Sequence, residues 1–355
     1  MQRTLRYALL LLILAAPSVP AAPESRVLRI VWIDVEGGAA TLVVTPAGES
    51  LLLDAGWPGE RDAQRIARAA RAEGVERIDH LLISHFHTDH WGGVADLARA
   101  IPIVRFYDRG LPDPSAPGVD KRLKPELRAA YLATTGGKSI VLKAGDRIPL
   151  AGVEVEIVTA SGLVAGEPAG APQTRPCTAE PEHRALPDDE TENALSLGFL
   201  LTLGEFEFLA LGDLTWNVEH KLVCPADRPA GAIGAIDVFQ ASHHGFDDSN
   251  NPALLAALQP TVAIVQNGPK KGGTAPVFGW LRATGSSADV FQLHRNITTG
   301  SADNAPPACV ANDEEDCQGA SIRLTLDPEG MSYTVEVPSK QTRRTYEVKA
   351  SVKGR

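Results

Sequence analysis

Apolar positions along the chain fall into short runs punctuated by glycine and a smaller number of stretches with a helical period. Residues 26–34 alternate and then run apolar, 41–44 and 51–53 are apolar throughout, and glycine turns separate them, so the chain opens as strands of one sheet. Residues 64–72 set Ile66, Ala67, Ala69 and Ala70 among arginines, which predicts an amphipathic helix. A buried strand follows at 78–83, then a polar loop, a helix at 94–100 and a strand at 103–107. Beyond a proline-rich loop the pattern predicts a helix at 125–133 and strands at 139–142 and 153–159. Residues 160–192 carry Gly, Pro, Ala and acid with no apolar period, a long insert of the kind that forms lids or stays disordered. An apolar hairpin around Gly204 (194–203 and 206–211), a strand at 236–241, and alternating helices (250–258, 277–282) and strands (262–265, 290–293) come next. A last hairpin joins 322–326 to 333–337, and no short internal repeat is present. This order suits an α/β fold of two packed sheets flanked by helices.

The chemistry concentrates where predicted strands end. Ser84-His85-Phe86-His87-Thr88-Asp89-His90-Trp91-Gly92-Gly93 leaves the 78–83 strand. His85 and His87 can turn to one cation, Asp89 and His90 to a second close by, and the glycine pair lets backbone approach the loop. Nitrogen and oxygen donors without thiolate suit two divalent ions, zinc first, with manganese and iron also accommodated. Asp213 follows the hairpin and is placed to bridge both ions, a role compatible with capping a helix at Thr215-Trp216. Asp89 and Asp213 are the catalytic carboxylates on this reading. His243 and His244 end the 236–241 strand; on extended backbone they would point opposite ways, one to metal and its neighbour to substrate or a supporting partner.

Asp54, at the end of the third strand, is placed either to orient a metal-bound histidine or to cap a turn. His294 follows a short strand and is a candidate for substrate contact. His183, in the long insert, reads first as a solvent-facing loop residue and second as a ligand. His80 and His220 read as structural.

With 44% hydrophobic residues, 355 residues bury one large core or two modest ones. Residues 1–21, with Arg3 and Arg6 ahead of the apolar run 8–16 and small residues after it, read as a cleaved secretory signal, placing the mature chain in the periplasm or outside the cell with no membrane-spanning segment. Residues 22–339 then form the domain. The formal charge is −10, and removing Arg3 and Arg6 makes the remainder more acidic, which disfavours loose attraction to nucleic acid. Residues 340–355 are basic and read as a solvated tail. Cys177, Cys224, Cys309 and Cys317 suggest two disulfides in an oxidising compartment, with Cys309–Cys317 and Cys177–Cys224 the favoured pairing.

The segments 33–39, 53–56, 84–93, Asn193-Ala194-Leu195-Ser196 with 211–214, and 242–245 together resemble the metallo-β-lactamase superfamily. Together they look like one branch of it, which includes the hydrolase domain of competence-type DNA-uptake channel proteins and secreted relatives, among them phosphocholine esterases. The resemblance covers about residues 27–337 and implies a four-layer αββα sandwich and a binuclear site: His85 and His87 on one ion, Asp89 and His90 on the other, Asp213 bridging and His243 or His244 completing the set, with Asn193 a candidate either for substrate contact or for supporting a ligand. Two departures stand out. Glu36-Gly37-Gly38-Ala39-Ala40 replaces the Gly-Gln-Gly-Asp-Ala of the uptake proteins, and 158–161 holds no histidine where many members have one, so that the first ion would be weakly held, partly water-filled, or completed by His183 or the second of the His243–His244 pair.

The resulting expectation is an exported metal-dependent hydrolase that uses an acidified bridging water on a phosphodiester in nucleic acid, a nucleotide or a cell-envelope substituent. Hydrolysis of a β-lactam, lactone or thioester is the alternative, and a metal-shaped binding module without turnover is the third reading.

Overall fold

The computed structural model describes residues 27–114, 123–167, 186–223, 233–283 and 289–350. The first part of the chain lays down β1 (Arg29–Trp32), β2 (Thr41–Val44), β3 (Ser50–Leu53), β4 (Ile78–Leu82), β5 (Ile103–Asp108) and the short β6 (Ile140–Val141) as neighbours in one sheet. The middle part builds a second sheet from β7 (Glu154–Ala160), β8 (Leu163–Val164), β9 (Gly198–Leu203), β10 (Phe206–Ala210), β11 (Val238–Gln240), β12 (Val262–Val265), β13 (Asp289–His294) and β14 (Val310–Asn312). The chain then returns. β15 (Ile322–Leu326) pairs antiparallel with β1, Arg29 opposite Thr325, and β16 (Ser332–Val337) and β17 (Thr342–Glu347) extend that edge. Among the described residues the sheets have nine and eight strands.

Period-two alternation decides the layering. On β1, Ile30 and Trp32 face the second sheet, while Val31 faces the outer side, where α1 (Glu60–Ala72), the single turn α2 (Thr88–Trp91), α3 (Val94–Ala100) and α4 (Pro125–Thr135) join its cluster. The other outer layer is α5 (Trp216–Val223), α6 (Pro252–Leu258) and α7 (Ala275–Ala283), whose Val218, Leu222, Leu255 and Phe278 join the core of the second sheet. The result is helix, sheet, sheet, helix, the four-layer αββα arrangement. Between the sheets, the buried Phe208 ring meets Trp32 edge-on at 5.7 Å and Phe199 at 5.8 Å. A polar tie crosses the same interface: Trp32 Nε1 and Thr41 Oγ1 both donate to Gln240 Oε1, at 3.0 and 2.9 Å.

Three expectations are corrected. Residues 340–355 do not all form a solvated tail. Thr342–Glu347 is the edge strand β17, where Tyr346 stacks on Tyr333 and Arg344 pairs with Asp289 at 2.9 Å; its charges suit a sheet edge. Cys309 and Cys317 form no disulfide. β14 runs between them, so Cys309 sits buried beside one end of the strand while Cys317 lies past the other, against Asp34 and His294. The start of the 160–192 insert is ordered as β8, and Glu167 forms a buried ion pair with Lys221 Nζ at 3.0 Å. Residues 1–21, His183, Cys177 and Cys224 lie outside the described residues. No helix among the described residues is long and apolar enough to cross a membrane.

Phe208→Ala should destabilise the protein by about 3–5 kcal/mol, the cost of a cavity between two sheets that cannot collapse onto it. Urea denaturation measures this, and a loss under 1 kcal/mol would show that the sheets do not depend on this contact.

Candidate metal centre

The site forms where both sheets present the ends of their parallel strands. β4 runs into Ser84–His87, and α2 (Thr88–Trp91) begins at once with Asp89 and His90 on its single turn. Phe86 anchors the loop, packing edge-on against Trp91 at 5.1 Å. The glycine pair is required sterically: a Cβ on Gly93 would lie 2.0 Å from the Ala55 carbonyl oxygen. From the other sheet, β10 delivers Asp213 through Gly212, which has φ 59° and whose Cβ would strike Ser84 at 2.9 Å.

Asp213 Oδ2 is the centre of the arrangement. Nε2 atoms of His90, His244, His85 and His243 lie 3.2, 3.4, 3.7 and 3.7 Å from it. Two donor groups converge there: Asp89, His90, Asp213 and His244 on one side, and His85, His87 and Asp213 on the other. Each imidazole is turned by a partner behind it. His90 Nδ1 donates to Asp54 Oδ2 at 2.8 Å, His244 Nδ1 to the Gln266 carbonyl at 3.0 Å, and His243 Nδ1 to Asp248 Oδ1 at 2.7 Å. Asp54, held at φ 61°, also takes the Ser84 amide at 2.7 Å and hydroxyl at 2.8 Å, while Ser84 Oγ lies 3.1 Å from His85 Nδ1.

These partners make a test of whether divalent ions fit. With Nδ1 protonated toward an acceptor, the Nε2 atoms of neutral His90 and His244 carry bare lone pairs facing one another at 3.2 Å. His85 Nε2 and His87 Nδ1 face each other at 3.0 Å. Such contacts repel unless a cation or a proton lies between them, and the two buried carboxylates supply matching negative charge. The residues fit two divalent ions.

In the chain alone the charges sort accordingly. Burial opposes a charge on His90, but Asp213, Asp89 and Asp54 outweigh it and raise its pKa well above the usual value. Burial, reinforced by His90, drives His85 well below. Burial would raise Asp213, yet His244 and His90 hold it well below the usual carboxylate range.

The expectation that His243 and His244 point opposite ways is corrected. Both sit in left-handed backbone, φ 48° and 53°, in a tight turn rather than on extended strand, so both rings face the site with centroids 6.1 Å apart. His244 joins Asp89 and His90. His243 Nε2 faces Asp213 and accepts from Asn193 Nδ2 at 3.3 Å, which places Asn193 beside the cluster. His294 is not at the site: it is fully buried at the end of β13 with Nε2 3.0 Å from Asp34 Oδ2, so it has no face to offer a substrate. His80 is structural, its Nδ1 3.0 Å from the Tyr107 hydroxyl. Asp54 serves as orienting acceptor and turn residue at once.

Lys271 escaped the sequence reading. Its ammonium pairs with Asp89 Oδ2, donates to the Gly37 carbonyl at 2.6 Å and lies 5.1 Å from the Trp57 ring centre. Its position in a glycine-rich loop just past β12, a third strand end in the second sheet, is the signal that could have found it. Glu192 was also missed. It pairs with Arg109 and accepts from the Phe86 amide at 3.2 Å, fixing the loop between His85 and His87.

Residues 33–174, which include the whole His85–His90 run, match the family described as the metallo-beta-lactamase superfamily. That stretch belongs to the superfamily. The superfamily's two-metal site corresponds to the two donor groups here. Recombination protein 2 of Haemophilus influenzae is 26% identical over 239 residues, 66% of this chain and 24% of the relative. Atrochrysone carboxyl ACP thioesterase of Aspergillus fumigatus is 36% identical over 112 residues, 28% of this chain and 35% of the relative. The matches therefore span about a quarter and about a third of those curated relatives. Among solved structures, MEM-A1, a subclass B3 metallo-β-lactamase from a soil metagenome library, has 16% identity and a TM-score of 0.38, covering 73% of this chain and 83% of that one.

Asp54→Asn should weaken metal binding roughly 10–100-fold while the fold persists, because it removes the carboxylate behind His90. Competition against a chelator, with circular dichroism on the same sample, measures both. Unchanged affinity would remove Asp54 from the site.

Glu219, fully buried behind the His243–His244 turn, accepts from the Asn251 amide at 2.8 Å and is raised from 4.5 to about 7, chiefly by burial. Between these values the unfolded chain holds fewer protons than the folded one, so stability falls as pH rises through this window. Glu219→Gln should flatten that fall and gain on the order of 2–3 kcal/mol at pH 8 relative to pH 4. Urea midpoints across this range report the difference, and parallel curves for the two proteins would contradict it.

Proposed function

We propose that the chain is an exported hydrolase that uses two divalent ions, zinc first with manganese and iron also suited, to cleave a phosphodiester. The observation that carries the reading is the convergence of four imidazole Nε2 atoms on Asp213 Oδ2, each within 3.7 Å. Asp89, His90 and His244 would hold one ion and His85 and His87 the other, with Asp213 shared. Such ions supply Lewis-acid polarisation of the scissile group and a water acidified toward neutrality as nucleophile. The chain's own residues do the rest. Asp54, Gln266 and Asp248 keep the imidazole Nε2 lone pairs aimed inward; Lys271 offers a cation beside Asp89 for a substrate oxygen; Asn193 and His243 line the approach to Asp213.

Two features favour phosphorus over carbonyl carbon. The strand end at 158–161 holds Val158, Thr159, Ala160 and Ser161 and no imidazole, where the carbonyl-cleaving branches that the chain resembles usually carry one. The longest of the curated matches is to a recombination protein, which points to phosphodiester chemistry, while the acidic composition of this chain favours a small diester over a DNA polymer. Thioester hydrolysis is the second reading, supported by the 36% identity to a thioesterase over 112 residues. The apolar run 8–16 with its small-residue end supports export.

Purified protein should hydrolyse bis-(p-nitrophenyl) phosphate in proportion to bound metal, at a rate insensitive to salt, and Asp213→Ala should abolish turnover with circular dichroism unchanged. Two bound ions with no diester turnover but rapid cleavage of an acyl thioester would transfer the assignment to the second reading.

A further inference from the structure

Outside the centre described above, a second group of metal-binding side chains closes on itself. Asp34, just beyond β1, and His294, at the end of β13, are fully buried, and Cys317, in the loop between β14 and β15, is partly buried. Each donor atom approaches both others: His294 Nε2 lies 3.0 Å from Asp34 Oδ2, Cys317 Sγ lies 3.3 Å from the same oxygen, and Sγ to Nε2 is 3.5 Å.

A tetrahedral zinc ion with its usual bond lengths separates nitrogen from oxygen by about 3.3 Å, sulfur from oxygen by about 3.5 Å and sulfur from nitrogen by about 3.6 Å. The observed edges come close to these values and follow the same order. Hydrogen bonds to Asp34 alone would bring nitrogen and sulfur each to the oxygen without requiring them to approach one another.

The surroundings match such an ion. Arg65 Nη2 donates to the Cys317 carbonyl at 2.9 Å and lies 3.9 Å from its sulfur, as a donor covering a thiolate does. Arg65 also reaches Asp34 Oδ2 at 3.3 Å, and its own charge is met by Glu36 at 3.0 Å. A divalent ion's two charges would be met by the Asp34 carboxylate and a Cys317 thiolate. Gly319 makes room for the guanidinium: a Cβ there would lie 2.5 Å from Arg65 Nε.

We propose that Asp34, His294 and Cys317 form a structural site for one thiophilic divalent cation, zinc above others, separate from the centre around Asp213 and independent of the function proposed for it. Binding releases the Cys317 thiol proton to solvent and changes no oxidation state. The ion fastens the 34–39 turn to the 313–321 loop. That turn backs the metal centre, since Asp34 Oδ1 accepts the Glu36 amide at 2.9 Å, Gly37 holds Lys271, and the Ala39 amide donates to the Asp89 carbonyl at 3.1 Å.

The full chain is loaded with zinc, desalted and assayed for metal per protein. The wild type should carry one more ion than Cys317→Ser and than His294→Gln. Loaded with cobalt(II), Asp213→Ala should keep a thiolate-to-cobalt charge-transfer absorption in the near ultraviolet, and its combination with Cys317→Ser should lose it. Equal metal content in wild type and both variants, with no charge-transfer band, would leave a hydrogen-bonded thiol and overturn the proposal. Should Cys317→Ser fail to fold by circular dichroism, persistence or loss of the band in Asp213→Ala combined with His294→Gln decides the same question. Failure of the phosphodiester reading would appear separately, as absent turnover with this ion still counted.

Discussion

The structure turns on a negative charge held where water cannot reach it. Asp213 sits at the meeting line of two sheets, and a carboxylate in that position persists only if positive charge surrounds it. Four imidazoles converge to hold the cations or protons that provide it, and each is aimed by a group behind it: Asp54 for His90, Gln266 for His244, Asp248 for His243, Ser84 beside His85. Those supports come from the ends of β3, β4 and β12 and from the turn after β11. Surrounding that one oxygen atom therefore draws on both halves of the domain.

The backbone shows the same demand. Two successive histidines in left-handed conformation cost roughly 1–2 kcal/mol each relative to ordinary geometry. The turn is held by backbone hydrogen bonds from the His243 amide to the Gly212 carbonyl at 3.0 Å and from the Gly273 amide to the His244 carbonyl at 2.9 Å. That conformation is what turns both rings of a consecutive pair to one side, a result extended backbone cannot give.

Much of this was legible in the sequence because the donors are crowded at strand ends. His85, His87, Asp89 and His90 fall within six residues after an apolar run, and Asp213 and His243-His244 also follow apolar runs, so pattern and residue type coincide. What escaped notice depends on tertiary closure. Lys271 is one of two adjacent lysines in a glycine loop, and only the approach of Gly37 and Asp89 marks it out. The orientation of His243 was invisible because residue type does not announce a positive φ. The Cys309–Cys317 pairing failed because spacing counts residues without revealing that an extended strand stands between them. The edge strand β17 was hidden by its own charges, which alternate with Tyr346 and the threonines once paired but read in sequence as a basic tail.

The return of β15 to the flank of β1 has a consequence for how the molecule is made. β1 is made well before its partner β15, and that edge of β1 stays unpaired until 296 further residues have emerged, a separation set by the Arg29 to Thr325 pairing. Closure over such a span is slow, and an open strand edge invites pairing with another chain in the meantime. Assembly of the nine-stranded sheet is thus governed by the last strands to appear, and the time before they arrive is when the nascent protein is most exposed to aggregation.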